Sequence, residues 1–350
     1  MEVVVNGSFK GQEITGQQRY AHEITHALLE LSKNYPIHVS VLETKKSNHR
    51  LISWVRALFL ASSQPKDSWL LTLTSRGPLI AKRHVVVVHD LFVFTQKQWF
   101  SKSYGISHRF VLKLQLRHAK IVICVSEPVA RELRLAGLTR AKIVVAPNAP
   151  AECFTSSHFS REDETRLLDQ AGLERMNFFL AVGAVDPRKN IPLLIHAHKT
   201  LPKDIREITP LVLVGKKTDL FAKSELNTDK HIIWLTEVSD RDLSILYSNC
   251  LAFVMPSLAE GFGLPIVEAL ASGAEVIAND IEIFHWVAGE NATFVDCNSS
   301  PEDLYIEMLD RCNSKKNLRG KIVQPNFSWA QSAKNIAETI YEANNENQSQ

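Results

Sequence analysis

Only five of the 350 residues are cysteine, at positions 124, 153, 250, 297 and 312, and no two form a C-x-x-C pair. That scatter excludes a disulfide framework and a cysteine-based zinc site, and leaves buried or incidental thiols of a reducing compartment. Long apolar runs are missing as well. No uninterrupted stretch reaches the roughly 18 residues that a membrane-crossing helix needs, and the opening MEVVVNG carries neither a basic n-region nor an apolar h-region. Charge of one sign is not in excess either: 40 Lys and Arg against 38 Asp and Glu leave a formal net charge of +2. A global affinity for nucleic acid is thereby excluded, and any basic surface must be local. The G-x-G-x-x-G dinucleotide fingerprint is absent, since the first strand is followed by glycines at 7, 11 and 16. What remains is a cytoplasmic protein, free or held peripherally on the inner face of the cytoplasmic membrane.

The chain itself is long and ordinary in composition. With 45% hydrophobic and 22% charged residues it can bury a sizeable core, and its length suits two domains rather than one. Short apolar runs at 2–5, 38–42, 69–73, 84–88, 120–125 and 142–145 predict strands. Helical patterns lie between most of them, the first carrying Tyr20, Ile24, Ala27, Leu28 and Leu31 on one face. A second series at 178–182, 211–214, 232–235, 251–255, 275–278 and 292–295 repeats the alternation. Strands that alternate with helices build parallel sheets covered on both faces. The Pro-, Asn- and Ser-containing stretch PNAPAECFTSS at 147–157 reads as a connector. The expected division is therefore a Rossmann-like domain over 1–150 and another over 151–327, with a last helix over 328–345.

The stretch LAFVMPSLAEGFGLPIVEALAS at 251–272 organises the second half. An apolar strand passes through a loop holding Gly261 and Gly263 and enters a helix at Pro265. Glycines let backbone N–H groups approach a ligand, and the helix N-terminus favours an anion such as a diphosphate. Glu260 and Glu268 flank that loop, and a carboxylate accepts hydrogen bonds from sugar hydroxyls. Anion and hydroxyls together describe a nucleotide sugar. The motif E-G-F-G-L-P-x-x-x-E resembles the E-x7-E motif of retaining glycosyltransferases of the GT-B fold, the large family 4 (group 1) that includes many bacterial mannosyl- and glucosyltransferases. The resemblance implies two doubly wound Rossmann-like domains facing a central cleft, with the last helix packed back on the first domain. It also implies donor binding on the second domain by Gly261, Phe262, Gly263 and Leu264, with Glu268 on the ribose and Glu260 on the transferred sugar.

Other candidates fall at strand ends. GAVDPRKN at 183–190 places Gly183, Arg188 and Lys189 after a strand, so that Lys189, with Arg188, neutralises a leaving diphosphate; a solvated turn is the plain alternative. The family pattern has an arginine directly after this glycine, where this chain has Ala184. VVVVHD at 85–90 brings His89 and Asp90 to a carboxyl strand end, where such sheets present their ligands. The plain alternative is a cap and a surface residue; the resemblance places a functional histidine near here. Gly16 is either a backbone contact for substrate or a turn glycine. Base recognition is expected near 235–238, including Val238. Asp240-Arg241-Asp242 has the form of a metal-binding D-x-D, but Ser239 and Asp242 read as a helix cap. Two stretches, 50–61 and 97–120, mix cations with apolar and aromatic residues, a pattern that suits an anionic membrane surface as well as an ordinary surface helix.

The expected activity is transfer of a hexose, mannose favoured, from a GDP- or UDP-linked donor to a glycan or polyprenyl-linked acceptor in bacterial surface polysaccharide synthesis. Neither a cofactor nor a metal is expected, because the turn cations can stabilise the leaving charge. Two alternatives stand beside it: a nucleotide-sugar epimerase of similar architecture, and a non-catalytic regulator that binds sugar nucleotides.

Overall fold

The computed structural model describes residues 1–12, 14–42, 65, 67–75, 77–155, 159–183, 186–215, 229–314, 320, 322–324 and 326–348. The amphipathic stretch at 50–61 and Ala184 lie outside them. The chain divides into two compact units, one formed by Met1–Asn148 with Phe327–Gln350, the other by Ala149–Asn326.

Six parallel strands form the sheet of the first unit: β1 Glu2–Asn6, β2 His38–Leu42, β3 Trp69–Thr72, β4 His84–Val88, β5 Ile121–Cys124 and β6 Lys142–Val145, in the order β2-β1-β3-β4-β5-β6. The central β4, HVVVV, is buried along its whole length. This follows from helices on both faces, which leave no solvent side for an alternating pattern and select branched side chains throughout. Each such valine contributes about 1.5–3 kcal/mol on burial. The order reverses between β1 and β3, which creates the gap where open α/β sheets bind ligands. Helix α1, Gly16–Leu31, follows β1 and buries Tyr20, Ile24 and Leu28.

The second unit repeats the plan with β7 Phe179–Val182, β8 Leu211–Val214, β9 Ile232–Leu235, β10 Ala252–Met255, β11 Val276–Asn279 and β12 Thr293–Val295. Its order is β12-β11-β10-β7-β8-β9, again parallel, and here the reversal falls between β7 and β10. Its core joins Phe179, Leu194, Leu213, Val254, Ile277 and Met308.

Two helices outside these sheets bear on function. Helix α2, Lys102–His118, occupies most of the basic stretch. Helix α4, Trp329–Gln348, belongs to the first unit, where the Ser332 hydroxyl donates to the Pro147 carbonyl at 2.7 Å and the Trp69 indole N–H donates to Asn344 Oδ1 at 3.3 Å. Between them in the chain, α3 spans Leu264–Ala271. The D-x-D at 240–242 starts a helix in which Ser239 Oγ accepts the Asp242 N–H at 3.1 Å, the capping arrangement.

Candidate functional site

In the second unit the candidates gather at the reversal between β7 and β10. Gly183 leaves β7 with φ +137°, a conformation that side chains rarely adopt, and a Cβ there would stand 3.2 Å from Cε of Lys189. The lysine stem therefore lies along bare backbone. Its ammonium reaches Glu260 Oε1 at 2.6 Å, with the two side chains only 15% and 12% exposed. The contact is an ion pair by distance, yet Glu260 Oε1 is buried and accepts no aligned hydrogen bond among the described residues. A partly desolvated pair of this kind is a strong local dipole that an incoming polar ligand can share.

Arg188 is placed otherwise than the turn sequence suggests. Its Nε donates to Asp186 Oδ1 at 3.0 Å and its Nη2 to Asp186 Oδ2 at 3.2 Å. Asp186 also accepts the Arg188 backbone N–H at 2.9 Å, the cap of the short Pro187–Lys189 turn. Burial pushes the Asp186 pKa up, but the guanidinium and these hydrogen bonds prevail and hold it below the usual carboxylate range. Arg188 is thus a fixed, half-neutralised cation, and Lys189 is the one set against Glu260.

A ring of hydrogen bonds sets this geometry. The Arg188 carbonyl accepts the Leu258 N–H at 2.7 Å, joining the loops after β7 and β10. The Asn279 amide donates to the Ser257 carbonyl at 2.9 Å, and its Oδ1 accepts the Cys297 N–H at 2.9 Å. Asn190 Nδ2 closes the circuit on the Cys297 carbonyl at 2.9 Å. Four strand-end loops are pinned together in this way, and Asn279 is fully buried at the centre. Neither asparagine stood out in the sequence. The available signal was an amide side chain at a carboxyl strand end.

The glycine loop leads into α3 through Gly263 at φ +95°, ψ +45°, where a Cβ would meet the Phe284 ring at 3.1 Å. Positive φ and close packing both require glycine there. Phe262 is buried edge-on against Trp286 at 6.0 Å. Gly261 and Leu264 are half-buried on either side; Pro265 carries no N–H, and the Ile266 N–H donates to the Gly263 carbonyl at 2.9 Å. Glu268, one turn further, is only 4% exposed. Val238 is half-buried beyond β9, two residues before the helix that starts at Asp240.

In the first unit, His89 emerges from β4, one strand beyond the reversal between β1 and β3. Its Nε2 lies 2.8 Å from the Leu73 carbonyl. A carbonyl only accepts, so Nε2 carries the proton and Nδ1 is left as the acceptor. Burial, partly offset by that hydrogen bond, pushes the imidazole down to about 4, and it is neutral at physiological pH. Asp90 Oδ1 accepts the Phe92 N–H at 3.2 Å and so caps the next turn. Gly16 is the exposed first residue of α1, with open space where a Cβ would stand.

Helix α2 presents a solvent-facing stripe of Lys102, Ile106, Phe110, Lys113 and Arg117, with Ile106 61% and Phe110 64% exposed. Residues 97–120 contain no aspartate or glutamate. Among the described residues, no helix is long and apolar enough to cross a membrane, and no three His, Cys, Asp or Glu side chains gather as a metal site.

Comparison with known proteins identifies the family. The model of the Glycosyl transferases group 1 family matches residues 163–326, and that of Glycosyltransferase Family 4 matches residues 59–149. The chain is 30% identical over 267 residues to the O-antigen chain mannosyltransferase B of Escherichia coli, covering 71% of this chain and 67% of that protein. It is 33% identical over 226 residues to the O-antigen chain mannosyltransferase RfbU of Salmonella typhimurium, covering 63% of this chain and 58% of that one. Among solved structures, WaaG, a glycosyltransferase involved in lipopolysaccharide biosynthesis, superposes with a TM-score of 0.68 at 16% identity over 98% of both chains. Anabaena HepE in complex with UDP and glucose gives 0.70 at 19% identity over 98% of this chain and 100% of that one. Two parallel Rossmann-like sheets, the E-x7-E loop and these matches leave the epimerase alternative without support: the chain belongs to the group 1 (family 4) glycosyltransferases of the GT-B fold.

Proposed function

We propose that this glycosyltransferase moves a hexose, with mannose favoured, from a GDP- or UDP-linked donor to a glycan or polyprenyl-linked acceptor, with retention at the anomeric carbon. The observation that carries the reading is the desolvated Lys189–Glu260 pair beside Gly183 and the start of α3. One partner of that pair suits a diphosphate and the other a sugar hydroxyl, as a nucleotide sugar requires. The preference for mannose rests on the two O-antigen mannosyltransferases to which the chain is similar.

In the mechanism that follows, Lys189 turns from Glu260 toward the diphosphate as the donor arrives, and Glu260 takes a hydroxyl of the transferred sugar. Glu268 holds the ribose, and backbone near Val238 meets the base. The bond from C1 to the diphosphate oxygen breaks while the acceptor oxygen bonds to C1 on the same face, and the acceptor proton passes to the leaving phosphate. Charge grows on the diphosphate, where Lys189 and the positive dipole end of α3 stabilise it; electrostatic help of this kind is the largest contribution in many enzymes. His89, neutral with Nδ1 bare, accepts a hydrogen bond from a reacting or neighbouring hydroxyl.

The acid-free stripe of α2 is the surface we assign to an anionic bilayer, on which a lipid-linked acceptor would be reached. Each Lys or Arg near such a surface contributes about 1 kcal/mol, with Ile106 and Phe110 as apolar contacts. Sedimentation with phosphatidylglycerol vesicles at low salt, lost on raising salt, is expected; absence of binding at low salt overturns this part. The catalytic reading is tested by incubating the protein with GDP-mannose and a panel of UDP-sugars, with and without a polyprenyl-linked glycan, and reading the anomeric configuration of the product by NMR. Transfer with retention supports it. Isomerised free donor, or binding without turnover, removes it.

A further inference from the structure

Both chain crossings between the units end on one buried ring of the first unit. The chain leaves that unit after Asn148 and re-enters it at Phe327. Just before the exit, the Ala146 carbonyl accepts the Tyr20 hydroxyl at 3.0 Å. Just after re-entry, the Trp329 indole packs edge-on against the Tyr20 ring at 5.8 Å and 70°. The Ser332–Pro147 hydrogen bond ties the two crossing segments to each other. Tyr20 is fully buried, and its ring also meets the His89 imidazole, with centroids 5.2 Å apart and planes at 89°.

This contact matters for chemistry because the last torsion of a histidine is broad and roughly two-fold. A single hydrogen bond from Nε2 to Leu73 fixes one nitrogen but leaves the ring free to tilt or flip. A perpendicular aromatic wall removes that freedom. We propose that Tyr20 is a positioning residue for glycosyl transfer: its ring holds His89 with Nε2–H on the Leu73 carbonyl and Nδ1 bare, and its hydroxyl anchors that wall to the crossing segments at Ala146. The proposal rests on the reading of His89 as the group that meets a hydroxyl. Burial raises the Tyr20 pKa above that of an ordinary tyrosine, so the phenol stays a neutral donor to Ala146 and takes no part in proton transfer. The Tyr20 ring covers one side of the half-buried imidazole, which burial keeps uncharged.

The test uses the full chain carrying Tyr20→Met, Tyr20→Phe or His89→Ala, with transfer kinetics and a histidine NMR titration. Tyr20→Met is expected to lower kcat on the order of 10- to 100-fold through misplacement of the imidazole, with KM for the donor within about twofold. The His89 titration should rise from about 4 toward the ordinary 6.5, so that a low-pH limb appears in kcat. Tyr20→Phe keeps the ring and should restore the wild-type kcat and pH profile while still lowering Tm through the lost Ala146 contact, whereas a merely structural role predicts that neither variant moves the His89 titration. A folded Tyr20→Met with normal kcat and an unmoved His89 titration overturns the proposal. If Tyr20→Met does not fold, the nitrogen shifts of the wild-type protein decide: Nε2 protonated with Nδ1 bare supports it, and averaged tautomers overturn it. Normal transfer by His89→Ala would instead overturn the role of His89 itself. Lost transfer in His89→Ala beside normal Tyr20→Met overturns only the positioning.

Discussion

The two sheet reversals are built from opposite materials. In the second unit, the gap between β7 and β10 is lined by charge: Asp186, Arg188, Lys189 and Glu260, pinned by a ring of amide hydrogen bonds. In the first unit, neutral rings stand beside the β1–β3 reversal: His89, one strand beyond it and held uncharged by burial, backed by the buried ring of Tyr20. A diphosphate with growing charge needs fixed cations and dipoles. A hydroxyl that shares its proton needs a neutral acceptor. The comparison teaches that one fold, used twice, is specialised by what stands at the carboxyl ends of its strands, while the strands themselves stay interchangeable.

The largest effect is expected from breaking the neutral side. His89→Ala should lower transfer on the order of 10²–10⁴-fold yet leave the Kd for the free nucleoside diphosphate unchanged, because its contacts lie within the first unit. Transfer assays and calorimetry on one preparation decide the matter. Normal transfer reduces His89 to a strand-end structural residue, and lost nucleotide affinity means that the division of labour is misdrawn.

Breaking the charged side should do the reverse at smaller magnitude. Lys189→Ala removes a charge-assisted contact to the diphosphate, about 1.5–3 kcal/mol in such a site, and leaves Glu260 as an unpaired, largely buried carboxylate. Nucleotide Kd should rise accordingly while the fold persists, as followed by calorimetry and circular dichroism. Arg188→Ala sharpens the point. With its guanidinium committed to Asp186, it should weaken binding less than Lys189→Ala, and a larger loss would show that the Asp186 pair opens for the ligand.

Most of the fold was legible, and for a stated reason. Parallel strands buried on both faces read as near-continuous apolar runs, so segments such as VVVV at 85–88 declare themselves without tertiary information. The glycine loop and its glutamates were legible from the motif. The pairing of Lys189 with Glu260, the closure through Asn190 and Asn279, and the convergence of Tyr20, His89 and Trp329 were not, because each joins segments distant in sequence that meet only when the sheets form. One local signal was overlooked. Asp-Pro-Arg at 186–188 is the start of an Asx-type turn, and that pattern sets the Asp186 carboxylate on the Arg188 N–H and beside its guanidinium.

The smallest effects separate two glycines, one at each reversal. At Gly263, with φ +95° and the Phe284 ring 3.1 Å from where a Cβ would stand, alanine adopts a left-handed conformation costing about 1–2 kcal/mol and displaces a buried ring. Gly263→Ala should lower Tm and weaken donor binding together, since the same turn sets the start of α3. Gly16 opens α1 with ordinary helical geometry and nothing within 4 Å of a Cβ site. Gly16→Ala should therefore leave stability unchanged or raise it by up to about 1 kcal/mol, as thermal melts would show. Its kinetic effect then distinguishes the two roles left open for this residue: unchanged kcat and KM make Gly16 a turn glycine, whereas a loss of transfer without loss of stability means that a ligand approaches its bare backbone.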